Sequence, residues 1–305
     1  MTDQLTSQDL SDAQALLITL FNEVNSQESV LAGGRKLGKG GQALQGLLDT
    51  KVSFGNPRSS LIRLTSKLFE DVGVKLTAPQ KQQLEHHLFN FYYMTLSVSI
   101  QPGREAKFSQ LICDLDFSPK GNDEPIVQTI FPTSHWKEKL SIGGSMHVAL
   151  DGNLGLSADL STLPFPQIQQ LPVQVQASTT AQGTFNAFIA TPNYSFQLGK
   201  ADIYATGEEN SHCYWRIEDF DLQKAQTIQF CIVFKVPQNI KTVELTGLVA
   251  FTPSMGWLID SIRDVFEHLS KKLQTLLRQS AQNRSGKPRL FVSDEGHETW
   301  TLHLP

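Results

Sequence analysis

The longest pattern in the chain is an alternation of apolar and polar residues that recurs between Thr95 and Thr252. At positions 96–100, for example, Leu, Val and Ile alternate with two serines. Successive residues of a strand point to opposite faces, so such runs predict strands with one apolar face. One-sided strands favour antiparallel sheets, and a lone sheet cannot bury its apolar face. We therefore predict a central antiparallel β-sandwich region at residues 95–252, as one large sandwich or two small ones.

Two neighbouring runs carry the clearest alternation. Residues 227–236 and 243–251 each place apolar residues at every second position, and Pro237-Gln238-Asn239 interrupts them. This arrangement predicts a hairpin. Further upstream, three prolines between Leu163 and Pro172 predict a linker or an extended crossover, which makes residues 163–172 a possible seam in the region.

Helical spacing dominates residues 1–94, which we predict to be a helical region. Ser11 fits the N-cap of a helix ending near Ser29. A short turn is predicted at Ala43–Leu48 and a longer helix at Arg58–Val72. Thr77 and Pro79 then predict the start of another helix. Its apolar stripe consists of Leu84, Leu88, Phe91 and Tyr92.

Residues 253–305 predict an amphipathic helix followed by a terminal hairpin. The helix spans Met255–Ser280 with one continuous apolar stripe, which we expect to pack on the N-terminal helices. An oligomer or partner interface is the alternative, and membrane-surface binding is less favoured because the polar face is not predominantly basic. Residues 290–292 and 300–304 predict the hairpin. The predicted fold class is thus α+β.

Charge and cysteine usage narrow the possible partners and compartment. The chain has net charge −4, and residues 95–252 hold 10 Lys and Arg against 15 Asp and Glu. Nucleic-acid binding there is not expected, because phosphate contacts need clustered basic residues. Three sparse cysteines, Cys113, Cys213 and Cys231, do not form a disulfide framework. With no secretory signal or long apolar run at the N-terminus, we predict a cytoplasmic protein.

The segment Gly33–Gly41 resembles a phosphate-binding loop in its spacing. Gly33, Gly38 and Lys39 match G-x-x-x-x-G-K, but Gly40 stands where Ser or Thr should hold magnesium. The segment also follows a predicted helix, whereas a phosphate-binding loop follows a strand. We predict a flexible basic hinge, with contact to an acidic partner or a lipid headgroup as the alternative.

Acidic and histidine-containing clusters are the other candidate sites. Asp114, Asp116, Asp123 and Glu124 loosely suit a calcium site, although Asp114 and Asp116 are expected to be solvated on the polar face of a strand. A second cluster at residues 218–221 contains Glu218, Asp219 and Asp221. Calcium binding at either cluster stays open. Adjacent His86 and His87 face different directions on a helix and are expected to be surface residues.

Catalytic motifs are incomplete throughout. Residues 143–147, around Ser145, lack the second glycine of a nucleophile elbow, and Cys113 and Cys231 lie in apolar strands. His212-Cys213 next to Tyr214 and Trp215 fits a rim site less well than a structural role, and Tyr214, Trp215 and Phe220 form an aromatic patch that suits a core. We assign no catalytic, cofactor-binding or metal residue.

The resulting functional hypothesis is a non-enzymatic, intracellular protein-interaction or scaffold protein that binds a protein partner or itself. One alternative is a membrane-acting effector that uses its N-terminal helices and glycine hinge. The other is a hydrolase whose site is assembled from distant residues. The incomplete catalytic motifs favour a non-enzymatic protein but do not exclude an enzyme.

Overall fold

A computed structural model describes residues 6–31, 38–71, 78–85, 88–132, 146–153, 174–179, 184–190, 202–218, 226–282, 290–292 and 296–305. The predicted seam at 163–172 and His86, His87 lie outside these residues. The helices are α1 Ser7–Leu31, α2 Lys39–Leu48, α3 Ser66–Asp71, α4 Ala78–Glu85, α5 Met255–Ser261, α6 Arg263–Phe266 and α7 Lys271–Gln282.

The described residues also contain the strands of the fold. They are β1 Lys51–Phe54, β2 Ile62–Leu64, β3 Phe89–Gln101, β4 Phe108–Ser118, β5 Ile126–Phe131, β6 Met146–Asn153, β7 Gln174–Thr179, β8 Thr184–Ala190, β9 Asp202–Thr206, β10 His212–Glu218, β11 Gln226–Pro237, β12 Thr242–Pro253 and β13 His297–His303.

These strands form antiparallel sheets. Sheet A has the order β1-β3-β11-β5, with β2 also pairing with β3, and sheet B has the order β13-β12-β4-β10-β9. A separate sheet C has the order β6-β8-β7. Sheets A and B are packed together, so the predicted α+β class with a central antiparallel sandwich is confirmed.

The core lies between sheets A and B and is rich in aromatic side chains. Phe117 and Trp215 of sheet B contact Phe234 and Phe230 of sheet A, with ring centroids 4.8 Å and 4.7 Å apart. Trp215 also donates from Nε1 to the Pro132 carbonyl at 3.0 Å, which satisfies its polar atom in the core.

The predicted hairpin between residues 227–236 and 243–251 is wrong. Strand β11 pairs with β3 and β5 in sheet A, whereas β12 pairs with β4 and β13 in sheet B. The turn after Pro237 therefore crosses the sandwich. Alternation shows which face of a strand is buried. It cannot distinguish a hairpin from a crossover between two sheets, because the strands have an apolar face in both arrangements.

Two predicted helices are partly replaced by strands. In place of a helix at Arg58–Val72, the chain forms a 3₁₀ turn at Pro57–Ser60, then β2 and α3, because β2 pairs with β3. The helix that contains Leu84 ends at Glu85, and Phe91 and Tyr92 belong to β3. That part of β3 is buried on both faces, so it lacks the period-two pattern that identifies a strand.

The C-terminal helix predicted at Met255–Ser280 is divided into α5, α6 and α7. The break before α7 coincides with a cap, because the Glu23 carboxylate of α1 accepts a hydrogen bond from Ser270 N. The apolar stripe is nevertheless buried within the chain, at Leu258, Ile262, Val265, Phe266, Leu269, Leu273 and Leu277. It shares one core with Leu17, Leu20 and Val24 of α1 and Leu44 and Leu47 of α2.

The chain's last segment does not pair as a hairpin. Strand β13 pairs with β12, from Thr242 opposite His303 to Leu248 opposite His297, and Val292 bridges to Phe251 of the same strand. Both parts of the tail thus lie along β12 and extend the edge of sheet B. Pairing with an existing strand also buries Trp300 and Leu302 against the sandwich core.

Candidate functional site

The outer face of sheet B gathers most of the polar residues that the sequence singled out. The strand registers place the following residues in successive rows across β12, β4, β10 and β9: Thr246, Asp116 and His212; Leu248, Asp114, Tyr214 and Thr206; Ala250, Ile112, Arg216 and Tyr204; Thr252, Gln110, Glu218 and Asp202. The face is therefore polar at both ends and apolar in the middle.

Helix α1 covers the apolar middle of this face. Leu10 and Ala13 form one buried cluster with Ile112, Tyr214, Leu248, Ala250 and Phe291. This cluster is separate from the main core between the two sheets. The second cluster explains why an isoleucine, Ile112, shares the nominally polar face of β4 with two aspartates.

Asp114 is buried under this cover, contrary to the prediction of a solvated carboxylate. Its side chain is 6% exposed, and its Oδ1 lies 2.6 Å from Nε2 of His212, which is 12% exposed. Burying a carboxylate is unfavourable unless it is paired and hydrogen-bonded, and His212 supplies such a partner. The sequence signal that could have revealed this burial was Ile112 on the same face.

Lys120 organises the adjacent acidic turn. Its Nζ lies 2.5 Å from Asp116 Oδ1, donates to Ser211 Oγ at 2.6 Å and lies 3.9 Å from Glu124 Oε1. Ser211 is buried and also bonds to the Glu124 carboxylate. The network links the β4–β5 turn to the β9–β10 hairpin.

The carboxylates considered for calcium do not converge on one point. Asp114 meets His212, Asp116 and Glu124 both lie near the Lys120 ammonium, and Asp123 is exposed in the turn. Across the described ranges, no group of three or more His, Cys, Asp and Glu side chains is placed to hold a metal ion. Of the second acidic cluster, Glu218 lies 3.4 Å from Arg216 Nε, and residues 219–221 lie outside the described chain.

An exposed tyrosine marks the β9 edge of this face. Tyr204 is 44% exposed, and the Arg216 guanidinium lies 5.4 Å from its ring centroid. The Tyr214 ring meets Tyr204 edge-on at 6.2 Å. The predicted aromatic patch is therefore divided: Tyr214 belongs to the outer face, Trp215 belongs to the core, and Phe220 lies outside the described residues.

The three cysteines are free and buried. Burial raises the pKa of the Cys113 and Cys213 thiols well above the ordinary range and that of Cys231 to about 12. His212 and Cys213 lie on opposite faces of β10, and Cys213 faces the core. They therefore do not form a rim site, because a buried neutral thiol is a poor nucleophile.

The end of the glycine-rich segment begins a helix that an internal carboxylate caps. Glu28 of α1 accepts hydrogen bonds from Gly40 N at 2.8 Å and Gly41 N at 2.9 Å, at the first turn of α2. A Cβ at Gly38 would lie 2.3 Å from the Glu28 carboxyl carbon. The backbone amides that could have met a phosphate are occupied by Glu28. Residues 32–37 and Ser145 lie outside the described chain.

Comparison with known proteins gives no family. No protein-family model matches the chain, and no curated protein does. Among solved structures, Clostridium perfringens NetB toxin in its membrane-inserted form is 8% identical, with a TM-score of 0.25 over 55% of this chain and 74% of that one. C. perfringens delta-toxin is 9% identical, with a TM-score of 0.27 and the same coverages. A Staphylococcus aureus collagen-binding adhesin domain is 9% identical, with a TM-score of 0.22 over 71% of this chain and 88% of that one. Similarity this low carries no argument about function.

Proposed function

We propose that this chain is a non-enzymatic interaction protein that binds a protein partner through the β9 surface, defined as Tyr204, Tyr214, Arg216, Asp202 and Glu218. The observation that carries the proposal is the half-exposed Tyr204 ring held between Arg216 and Tyr214. The proposed compartment is the cytoplasm, which suits three thiols that form no disulfide.

The composition of the β9 surface supports a binding role. Tyrosine and arginine are enriched among residues that dominate interface energies. Tyr204 is already oriented by two neighbours, so little side-chain entropy would be lost on binding. Asp202 and Glu218 are exposed beside it and supply the polar rim that interfaces have.

Site-specific photo-crosslinking tests this proposal. A photoreactive residue at position 204 should give a specific adduct in a lysate of the native host, and Arg216→Ala in the same protein should reduce the yield. The control carries the residue at position 227, which is exposed on the outer face of sheet A. The same adducts from both positions, or none from 204, would reject the β9 surface.

Sheet C favours the membrane-acting alternative as a second candidate. Its register places Met146, Val148 and Leu150 opposite Ile189, Ala187 and Phe185, and Val175 and Ala177 opposite Ile189 and Ala187. These alternate positions share one face of an antiparallel sheet, while the intervening positions are mostly polar. The sequence pattern of sheet C is thus amphipathic, whereas α1, the helix that the sequence suggested for this role, is held to two other helices by Glu23 and Glu28.

Vesicle experiments separate the two candidates. If sheet C acts on membranes, the full chain should float with vesicles of phosphatidylcholine and phosphatidylserine and release an enclosed dye. Val148→Lys on the apolar positions should abolish release, and Gln176→Lys on the polar positions should not. Absence of flotation at any lipid charge would reject a membrane role. Within the described residues, no helix combines the length and apolarity needed to cross a bilayer.

A further inference from the structure

Helix α1 is held differently along its two halves. The C-terminal half, taken from Leu16 onward, packs on the main core: Leu17, Leu20 and Val24 belong to that core, and the partly buried Leu16 packs against it. Leu10 and Ala13 in its N-terminal half belong to the separate cluster on the outer face of sheet B. The two halves therefore pack on different parts of the molecule.

The C-terminal half of α1 has additional polar anchors. The Glu28 carboxylate caps the first turn of α2, and the Glu23 carboxylate accepts from Ser270 N just before α7. Each carboxylate meets a helix N-terminus, where backbone N–H groups lack helical partners and favour negative charge. These contacts fix the C-terminal half to two other helices.

Side chains in the N-terminal half bond along the helix. Thr6 N donates to Asp9 Oδ2 at 2.9 Å, Asp9 N donates to Thr6 Oγ1 at 3.1 Å, and Gln8 Nε2 donates to Asp12 Oδ1 at 2.7 Å. Reciprocal capping of this kind stabilises the first turn locally. These three bonds lie within the helix, so they do not tie its N-terminal half to the sheet, and a detached helix of this length is only marginally stable in water.

The covered patch adjoins the β9 surface. Tyr214 belongs to both, because it packs in the cluster with Leu10 and Ala13 and meets the exposed Tyr204 ring edge-on. Undocking the N-terminal half of α1 would extend the β9 surface across Ile112, Leu248, Ala250 and Phe291. The patch now accepts apolar residues at positions i and i+3 of a helix, so its shape suits an amphipathic helix.

We propose that the N-terminal half of α1, residues 7–15, is an autoinhibitory strap over a helix-binding patch, and that an amphipathic helix of a partner protein displaces it. The patch is defined by Ile112, Tyr214, Leu248, Ala250 and Phe291. This proposal rests on the proposed binding function, because the strap would regulate the binding of a partner at the β9 surface. The C-terminal half of α1 stays anchored when the strap opens.

Hydrogen exchange of the unmodified protein tests whether the strap opens separately. Amides of residues 11–15 should be at least about tenfold less protected than those of β4 and β12, because the detached part of the helix frays and exposes them without unfolding the core. Residues 20–28 should keep the higher protection. Equal protection of residues 11–15 and the core strands would overturn the proposal.

Two matched substitutions, each replacing an alanine of α1 by glutamate, test the patch itself. Ala13→Glu places a charge against the patch, whereas Ala15→Glu makes the same change at an exposed position of the same helix. A fluorescent peptide of residues 6–31 should bind the full-length Ala13→Glu protein about tenfold or more tightly than the wild type or Ala15→Glu, because the strap no longer competes. The same peptide with Ala13→Glu should not bind.

Each remaining outcome decides the proposal. Ala13→Glu protein that binds the peptide no better than Ala15→Glu, or that loses its near-ultraviolet circular dichroism, would overturn it, because a separable strap leaves the core folded. If Ala13→Glu dimerises with rising concentration, the patch belongs to a second copy and the partner-protein assignment is wrong. Peptide binding without an adduct at position 204 would support the strap and reject the β9 surface.

Discussion

Replacing His212 by alanine tests whether the Asp114–His212 pair holds a buried carboxylate in place. The two side chains are 6% and 12% exposed, and their atoms Oδ1 and Nε2 are 2.6 Å apart. The mutation leaves the buried Asp114 carboxylate without the imidazole. It also removes little packing from the main core, because His212 lies on the outer face of sheet B.

The expected loss follows from the burial of the carboxylate. Removing one partner of a buried hydrogen bond typically costs about 1–3 kcal/mol, and more when the group left behind is charged. Asp114 also takes part in further interactions that would remain, so we expect a loss of about 3 kcal/mol. A surface ion pair such as Lys120–Asp116, nearly half exposed, should contribute only about 0–1 kcal/mol.

Urea unfolding at neutral pH measures this loss. The midpoint of His212→Ala should fall at an unchanged slope, and His303→Ala, an exposed histidine of β13, should stay within about 0.5 kcal/mol of wild type. Adding Asp114→Asn to His212→Ala should recover part of the loss, since a neutral amide is less costly to bury than a charge. The reasoning is refuted if His212→Ala is as stable as His303→Ala.

Further predictions concern the core, the thiols and the first turn of α2. Leu269→Ala should cost about 2–5 kcal/mol and lower the melting temperature equally at every protein concentration, because Leu269 packs within its own chain. Leu88→Ala, at an 80% exposed position, should leave the melting temperature unchanged. Melting that depends on protein concentration would instead indicate an oligomer interface. Burial raises the pKa of all three thiols, so the reactive thiolate forms only at higher pH. Thiol labelling of the native protein should therefore stay slow from about pH 7 to 9, and three thiols should react in denaturant. A disulfide in the mass spectrum would contradict this prediction. Glu28→Ala should lower the free energy of unfolding by about 1 kcal/mol, because the first turn of α2 loses its cap. Calorimetric titration of the wild type with Mg-ATP should show no binding. Micromolar binding that Lys39→Ala abolishes would show that this turn binds nucleotide after all.

Local pattern determines much of this fold. Alternation in residues 95–252 correctly predicts an antiparallel β region, because a strand half-buried in a sandwich must repeat with period two. The apolar stripe from Leu258 to Leu277 correctly predicts a buried helical segment, because the same residues are needed to cover the core whether the helix is continuous or broken. Cys113 and Cys231 are buried, as their apolar strands predict.

Only the tertiary structure decides which strands pair and what covers each face. Strands β11 and β12 lie in different sheets although a short turn joins them, since alternation specifies a buried face and not a neighbour. Asp114 is buried because α1, about a hundred residues earlier in the chain, lies over the outer face of sheet B. Glu28 meets Gly40 and Gly41 only when α1 and α2 pack together. Such contacts join residues far apart in sequence, so short-range periodicity cannot predict them.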